Sequence, residues 1–265
     1  MALFKMGIPV LMYHALDDGK GSYTFPDPGE RSYVLKTDSF RRHLHFLKKH
    51  GYKSYLFHDL SPEKMKKSVI ITFDDGHESN YTLALPMLRE FGFKAIFFIT
   101  AGWIGKDDYL KPQQIKELCQ EGMAIGSHGL THTYLDDLDD MGLQHEFKRS
   151  KEILEDIAGR KIEAFSAPGG RFNKRAEELA KSAGYKILCT SSFGLWHDMT
   201  RTENIPRIPL KRGMPLKRFS KIMHRDPLFY TTQFLKIKGL YALKKVLGNR
   251  VYDFLWNSVQ ALRNK

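Results

Sequence analysis

Short apolar runs alternate with longer amphipathic ones along this chain of 265 residues. The short runs predict strands at Val10–His14, Val69–Phe73, Ala95–Thr100, Met123–Ser127, Ile162–Ala167, Lys186–Thr190 and Ile205–Leu210. Apolar positions at helical spacing predict helices at Ser39–His50, Leu83–Phe91, Pro112–Gln120, Leu138–Ala158, Lys174–Ala183 and Leu216–Met223. The punctuation agrees: Asp38 precedes the first helix, Pro112 opens the third, and Gly122, Gly159 and Gly184 follow the ends of the third, fourth and fifth. Strands alternating with helices imply a parallel sheet with right-handed crossovers. The alternation alone fits a closed barrel and an open, doubly wound sheet equally. Between Ala15 and Thr37 a Gly-, Pro-, Ser- and Asp-rich stretch without periodicity reads as a long loop near the mouth of the sheet.

The character changes after Arg225. From Asp226 to Lys265, apolar residues including Phe234, Leu235, Leu243, Leu247, Phe254 and Leu262 recur at roughly helical spacing, interleaved with Lys236, Lys238, Lys244, Lys245 and Arg250. The expected organisation is a catalytic-type domain over 1–225 and a basic amphipathic helical segment over 226–265. That segment packs on the domain or meets an anionic membrane surface.

Composition narrows the classes. A hydrophobic share of 42% with 27% charged residues is that of a soluble globular protein, and the length suits one barrel-type domain. Lys and Arg number 42 against 30 Asp and Glu, a net charge of +12 that favours anionic partners. Nucleic acid is not expected among them, because no zinc-finger spacing, basic heptad helix or RNA-binding aromatic signature is present. Cys119 and Cys189 each lie in apolar segments without a C-x-x-C, so they read as buried thiols. Met6 to Tyr13 is apolar after Lys5, but Pro9 interrupts it and no cleavage site follows, so it reads as a strand. No run reaches the length of a membrane span. A cytoplasmic protein is therefore expected, peripheral to the inner face of a membrane if the basic tail meets lipid.

Two segments carry the chemistry. Thr72-Phe73-Asp74-Asp75-Gly76 ends the apolar run Val69-Ile70-Ile71, and Ser127-His128-Gly129-Leu130-Thr131-His132 ends a later strand. Two adjacent carboxylates at a buried strand end are costly unless something compensates the charge. Histidines spaced i, i+4 fall on one face of a helical turn and can grip one ion. One Asp with two His makes a three-ligand set with an open position, as in catalytic zinc sites, and leaves the other Asp free as a base. Together they point to metal-assisted hydrolysis.

T-F-D-D-G followed by S-H-x-x-T-H resembles the first two motifs of the polysaccharide deacetylase (NodB-type, carbohydrate esterase family 4) superfamily, over roughly Ile8 to Arg212. The resemblance implies an α/β fold, an irregular barrel of about seven strands with a C-terminal helical extension. It implies that Asp74 is the catalytic base and that Asp75, His128 and His132 hold a divalent metal, zinc first. The third motif falls at Phe165–Arg171, with Ser166 where the family places an Arg that braces the base; Arg171 is the candidate replacement. Pro168 and Gly169 fall where a backbone N–H helps hold the oxyanion, and two successive glycines there are expected to widen the site. In the region of the fourth motif Trp196 is either a sugar-stacking surface or a core residue. The late His of the fifth motif is missing from Arg207–Arg212. Leu11-Met12-Tyr13-His14 resembles the Tyr-His strand that opens one branch of the family, which makes His14 the candidate general acid. His77 and His197 are weaker candidates for substrate contact.

The expected activity is metal-dependent removal of an N-acyl group, N-acetyl before others, from an amino sugar in a glycan, lipid-linked or nucleotide-linked saccharide. Two alternatives stand beside it: an amide hydrolase of the same superfamily acting on a non-sugar substrate, and a non-catalytic glycan- or lipid-binding protein on a degenerate scaffold.

Overall fold

The computed structural model of the chain describes residues 7–24 and 28–240. Seven strands carry the architecture: β1 (Val10–Tyr13), β2 (Ser68–Phe73), β3 (Ile96–Ile99), β4 (Ala124–Ser127), β5 (Ala164–Ser166), β6 (Ile187–Cys189) and β7 (Ile208–Pro209). All pair in parallel in the order β7-β1-β2-β3-β4-β5-β6, with Leu11 opposite both Ile71 and Ile208, and Phe97 opposite both Phe73 and Ile125. The segment ending in β7 joins the two edges. Ile205 bridges Cys189 of β6, and Leu210 donates its N–H to the Met12 carbonyl beside β1 at 2.9 Å. The result is a strongly curled parallel half-barrel, not a doubly wound open sheet. Pro206 and Pro209 bracket Arg207, and lacking N–H groups they keep this last strand short.

Helices cover the outside: α1 (Thr37–Lys49), α2 (Leu85–Phe91), α3 (Pro112–Gln120), α4 (Asp140–Ala158), α5 (Lys174–Ser182) and α6 (Leu216–Met223). Each predicted helix is present within a few residues, and the caps explain the ends. Asp139 accepts from the Gly142 N–H at the start of α4, and Gly159 closes the same helix in the left-handed conformation at φ 64°. A π-turn over Asn80–Ala84 runs into α2, so that helix carries a bulge beside the end of β2.

The strand period of two sorts the core into an outer and an inner layer. Leu11, Tyr13, Ile71, Phe73, Phe97, Ile99 and Phe165 belong to the large cluster packed under the helices. Val10, Ile70, Ile96, Phe98, Ala164, Cys189 and Ile205 belong to a second cluster, which fills the inside of the curl. Gly126 is on this inner face because a Cβ there would meet the Phe98 ring at 2.5 Å. Continued to the C-terminal strand ends, the inward parity selects His14, Thr72, Asp74, Thr100, His128, Ser166 and Arg207.

Trp196 lies in the inner cluster at the opposite end. It is 4% exposed, pairs with Ile8 ahead of β1, packs edge-on against Phe57 and donates its indole N–H to the Arg201 carbonyl at 2.9 Å. Of the two readings left open for Trp196, the core one holds, and the sugar-stacking assignment is corrected. His197 lies at the same end, its ring beside Gly7, far from the strand ends that carry the carboxylates.

Of the basic segment, residues 226–240 are described. They are helical from 227 onward, with Phe229 and Tyr230 buried and the Tyr230 hydroxyl bonded to the Ile222 carbonyl of α6. Leu228, Phe234, Leu235 and Ile237 are exposed. Lys244, Lys245 and the rest of 241–265 lie outside the described residues. Among the described residues no helix is long and apolar enough to cross a membrane.

Trp196→Ala tests the placement of that side chain. It is expected to lower stability by about 3–5 kcal/mol, as for other buried Trp truncations, read by denaturant unfolding, while turnover per folded molecule stays unchanged. Lost turnover at wild-type stability returns Trp196 to a substrate role.

Candidate active site

Asp74 is the first residue past β2 on the inner face and is 2% exposed. A lone carboxylate there would be neutralised by its desolvation. The compensating charge is Arg207, itself 1% exposed. Its Nη1 donates to Asp74 Oδ1 and its Nη2 to Oδ2, both at 2.7 Å, a two-pronged pair. The remaining donors are also used: Nε on the Thr190 carbonyl at 2.9 Å, Nη1 on Thr72 Oγ1 at 3.2 Å and Nη2 on Ser166 Oγ at 2.7 Å. The guanidinium lies over the Phe98 ring at 5.4 Å, on top of the inner apolar layer. Burial pushes the Asp74 carboxyl up, but Arg207 with the nearby His128 outweighs it, and the net shift is below the usual aspartate range.

This corrects two sequence expectations. The cation bracing Asp74 comes from the last strand, not from Arg171, which is exposed and stacks over the Tyr134 ring at 4.3 Å. Ser166 is no gap in the third motif, since its small side chain makes room for Arg207 and bonds it. Arg207 was missed by sequence reasoning. The signal was an Arg placed between Ile205-Pro206 and Ile208-Pro209 in an otherwise apolar strand, two positions from an inward-facing Ile.

Asp75 turns the other way. Its φ of 74° and the 81° of Gly76 are both left-handed, which swings the second carboxylate off the strand axis. A Cβ at Gly76 would sit 2.8 Å from Ile99 Cγ2. Asp75 Oδ1 is then 3.3 Å from Nε2 of His128 and 3.3 Å from Nε2 of His132. These spacings are close to the edge of a tetrahedron around an ion with bonds of about 2.0–2.1 Å. The His128 ring is fixed by its Nδ1, 2.8 Å from the Ser166 carbonyl, which accepts from it and leaves Nε2 facing Asp75. Asp75 Oδ1 is buried and makes no hydrogen bond, although two imidazoles face it. Converging donor atoms with nothing between them fit a cation, and the three residues form a metal-capable group with ligand atoms within 4.8 Å of one another. The two histidines do not lie on a helical turn, as their spacing suggested. They flank a loop in which Gly129 has φ 81° and His132 φ 65°. For His128, burial acts to lower the pKa, but Asp74 and Asp75 outweigh it and the net shift is upward.

His14 follows β1, beside Asp74, whose N–H donates to the Tyr13 carbonyl at 2.9 Å. Its ring stacks obliquely on Tyr33 at 4.6 Å, its carbonyl accepts from Asn80 Nδ2 at 2.7 Å, and its Nδ1 is buried without a hydrogen bond. Burial lowers its pKa, only partly offset by the charges of Asp75 and Asp74, which places the ring within their field. Pro168 and Gly169 follow β5 at the same end, Gly169 at φ 63°. The glycines do not open the site: a Cβ on Gly169 would meet the Tyr134 ring at 2.5 Å, so that tyrosine fills the space. His77 is buried in the wall of the mouth, between the rings of Tyr23 at 4.8 Å and Tyr109 at 6.0 Å. Trp103 lies 4.9 Å from His132.

The sequence model of the family described as polysaccharide deacetylase matches residues 61–188, which contain Asp74, Asp75, His128 and His132. YxkH of Bacillus subtilis (strain 168), itself named only as a candidate polysaccharide deacetylase, is 31% identical over 195 residues, 71% of this chain and 65% of its own length. The Streptococcus pyogenes deacetylase PplD, solved in complex with acetate, superposes with a TM-score of 0.73 at 26% identity, over 82% of this chain and 98% of that one. The chain belongs to the polysaccharide deacetylase family. A peptidoglycan-N-acetylglucosamine deacetylase of Bacillus cereus is 31% identical over 137 residues, 51% of this chain and 60% of that protein. The chain thus spans less than two thirds of the length of those two curated relatives. Among the described residues it carries an Asp-His-His group suited to a divalent metal.

Two outcomes follow from the electrostatics. A carboxyl whose folded pKa is depressed stabilises the fold above the ordinary aspartate value of about 3.9 and loses that contribution as pH falls through its lowered value. In Arg207→Ala the burial of Asp74 is opposed only by the nearby histidines, so the acid limb of activity is expected to move to higher pH and stability to drop by about 3–5 kcal/mol. Denaturant titrations and a pH–rate profile check both; an unmoved acid limb shows that Arg207 does not set the charge of Asp74. Conversely, the raised pKa of His128 means a proton competes for its Nε2. Metal affinity, measured by chelator competition across a pH series, is expected to fall as pH drops through that raised value. Affinity that stays flat down to the ordinary imidazole pKa removes His128 from the ligand set.

Proposed function

We propose that this chain removes the N-acetyl group from an amino sugar within a saccharide, using a divalent cation held by Asp75, His128 and His132, with zinc favoured by the imidazole and carboxylate donors. The observation that carries this reading is the pairing of two carboxylates with separate partners: Asp74 kept anionic by Arg207, and Asp75 aimed at two imidazoles. The names of relatives support the substrate class, since one acts on N-acetylglucosamine in peptidoglycan and another was solved with acetate.

When bound, the cation supplies Lewis acidity toward water and toward the acyl oxygen. The chain supplies the rest. Asp74 takes a proton from the attacking water as the water oxygen bonds to the acyl carbon. Arg207 occupies one side of that carboxylate and fixes its orientation, so the other side serves the water. The turn after Pro168, which itself has no N–H, leaves the Gly169 backbone N–H as the donor proposed for the forming oxyanion. When the C–N bond breaks, the amine needs a proton, and His14, at the same strand ends, is the residue proposed to deliver it. Burial lowers the pKa of His14, so the proton that reaches the amine is the one Asp74 takes from the water, passed on through His14 as the C–N bond breaks, which returns Asp74 to its anionic form. The products are acetate and the free amino sugar. Arg207 also weakens the reading of a degenerate, binding-only scaffold, because the bracing cation of the third motif has a functional equivalent here.

Release of acetate from N-acetylated amino-sugar oligomers, followed by mass spectrometry, tests the activity. Asp74→Asn is expected to keep the metal and the fold while lowering kcat by about 10²–10⁴. His14→Ala is expected to slow amide hydrolysis by a similar factor and to spare an activated ester, whose leaving group needs no proton. Equal losses on the two substrates assign the acid to another group, and no acetate release from any N-acetylated saccharide sinks the substrate class.

A further inference from the structure

The loop that carries both histidines is held from outside as well as by its own Ser127, Thr131 and Thr133 hydroxyls. Gly129 at φ 81° and His132 at φ 65° both take left-handed conformations, the second disfavoured for a residue with a Cβ. On one side the loop is fixed by its carbonyls, which accept the N–H groups of Ala101 and Gly102 at 2.9 and 2.8 Å. On the other side it meets Glu146, a carboxylate on the inner face of α4 that is 4% exposed. Glu146 Oε2 accepts from the Leu130 N–H at 2.6 Å and the Thr131 N–H at 3.1 Å, and Oε1 accepts from Thr131 Oγ1 at 2.6 Å. One turn further along α4, Ser150 Oγ lies 2.9 Å from Ser127 Oγ, which accepts from the Gly129 N–H at 3.1 Å. A Cβ on Gly129 would approach Glu146 Oε2 to 2.9 Å, so glycine is what lets the carboxylate reach in.

We infer that Glu146 is a positioning residue for the metal: its carboxylate clamps residues 129–131 and so presets the separation and aim of His128 and His132. Neither ligand touches Glu146. The effect runs through the backbone between them, which has two adjacent amides and a hydroxyl bound to one side chain. Without that acceptor, three donors next to the site lose their partner and the left-handed turn loses what holds it. The loop then relaxes, and the two imidazoles must be brought back together whenever an ion binds. The inference rests on the Asp75, His128 and His132 site proposed above.

Reach and charge separate in two substitutions. Glu146→Gln keeps the length and an oxygen for both amides, and its amide NH₂ suits Thr131 Oγ1. Glu146→Asp keeps the charge but withdraws the acceptor by one methylene. The measurement is zinc affinity by competition with a chromophoric chelator, beside amide hydrogen exchange at Leu130 and Thr131 in the metal-free proteins. Glu146→Asp is expected to weaken zinc binding by about 10–100-fold, the range for removing a group that orients a ligand. It is also expected to speed exchange at both amides, while Glu146→Gln stays near wild type in both respects. Equal losses in the two variants show that an uncharged acceptor of the right reach does not suffice, and wild-type affinity in Glu146→Asp removes the clamp; either overturns the proposal. So does a Glu146→Asp protein unfolded without metal by circular dichroism, since Glu146 then holds the domain and not the loop. If the wild-type protein itself binds no zinc, the metal reading fails, and the exchange rates alone still judge the clamp.

Discussion

The Asp74–Arg207 pair is the interaction on which the rest of this structure depends. Both groups are almost fully removed from water, inside the curl of the sheet and above an apolar layer. Taking either alone out of water costs several kcal/mol. Together they are tolerated because the geometry is complete: two charge-assisted bonds between them, and Thr190, Thr72 and Ser166 on the other guanidinium donors. Arg207 lies on the segment that joins β6 to β1. Closing the sheet and ionising Asp74 are therefore one event, and Asp74 has its cationic partner only when the last strand is in place. A hydrophobic replacement of the pair could be as stable, but it would leave no carboxylate to accept a proton.

Adjacent like charges at Asp74 and Asp75 are resolved by geometry rather than by neutralising one of them. The strand parity aims Asp74 inward at Arg207. The left-handed backbone at Asp75 and Gly76 then breaks that parity and aims the next carboxylate at His128 and His132. Each carboxylate has its own partner, and both sit below the ordinary aspartate range despite burial. Two carboxylates that share one environment share a proton. Two that are given different environments take different roles, under the proposed function a base and a ligand.

What the sequence made legible was the local part. Seven apolar runs became seven strands, and the predicted helices formed within a few residues of their expected ends, because periodicity and caps are read over a few neighbours. The Asp-Asp-Gly end and the two histidines were legible for the same reason. The long-range part was not. Arg207 meets Asp74 across 133 residues of chain, and no local signal reports which cation reaches a buried acid. Arg171, nearer in sequence to the expected motif, was the natural choice and was wrong, since its neighbour Tyr134 draws it to the surface. Trp196 was ambiguous because an aromatic residue before a His suits a core as well as a pocket; its pairing with Ile8 at the far end decides it. The i, i+4 spacing of His128 and His132 pointed to a helix, but left-handed residues in a loop bring two side chains together equally well.

The same rigidity has a consequence for where selectivity resides. Asp74, Arg207, Ser166 and His128 are locked to one another by buried hydrogen bonds on the inner face, and none can shift to suit a different sugar without breaking a charged contact. The side chains around the mouth are held differently. Tyr33 leans on His14, Trp103 on His132, and Tyr23 and Tyr109 on His77, each through ring contacts from loops rather than from strands. Tyr134 and Arg171 close the remaining side, stacked on each other beside Gly169. Under the proposed function these loops meet the saccharide while the inner face acts on its acyl group. Changing the sugar then requires changing only half-buried or exposed rings and Arg171 at the mouth, which is why the chemistry can stay fixed while the substrate varies.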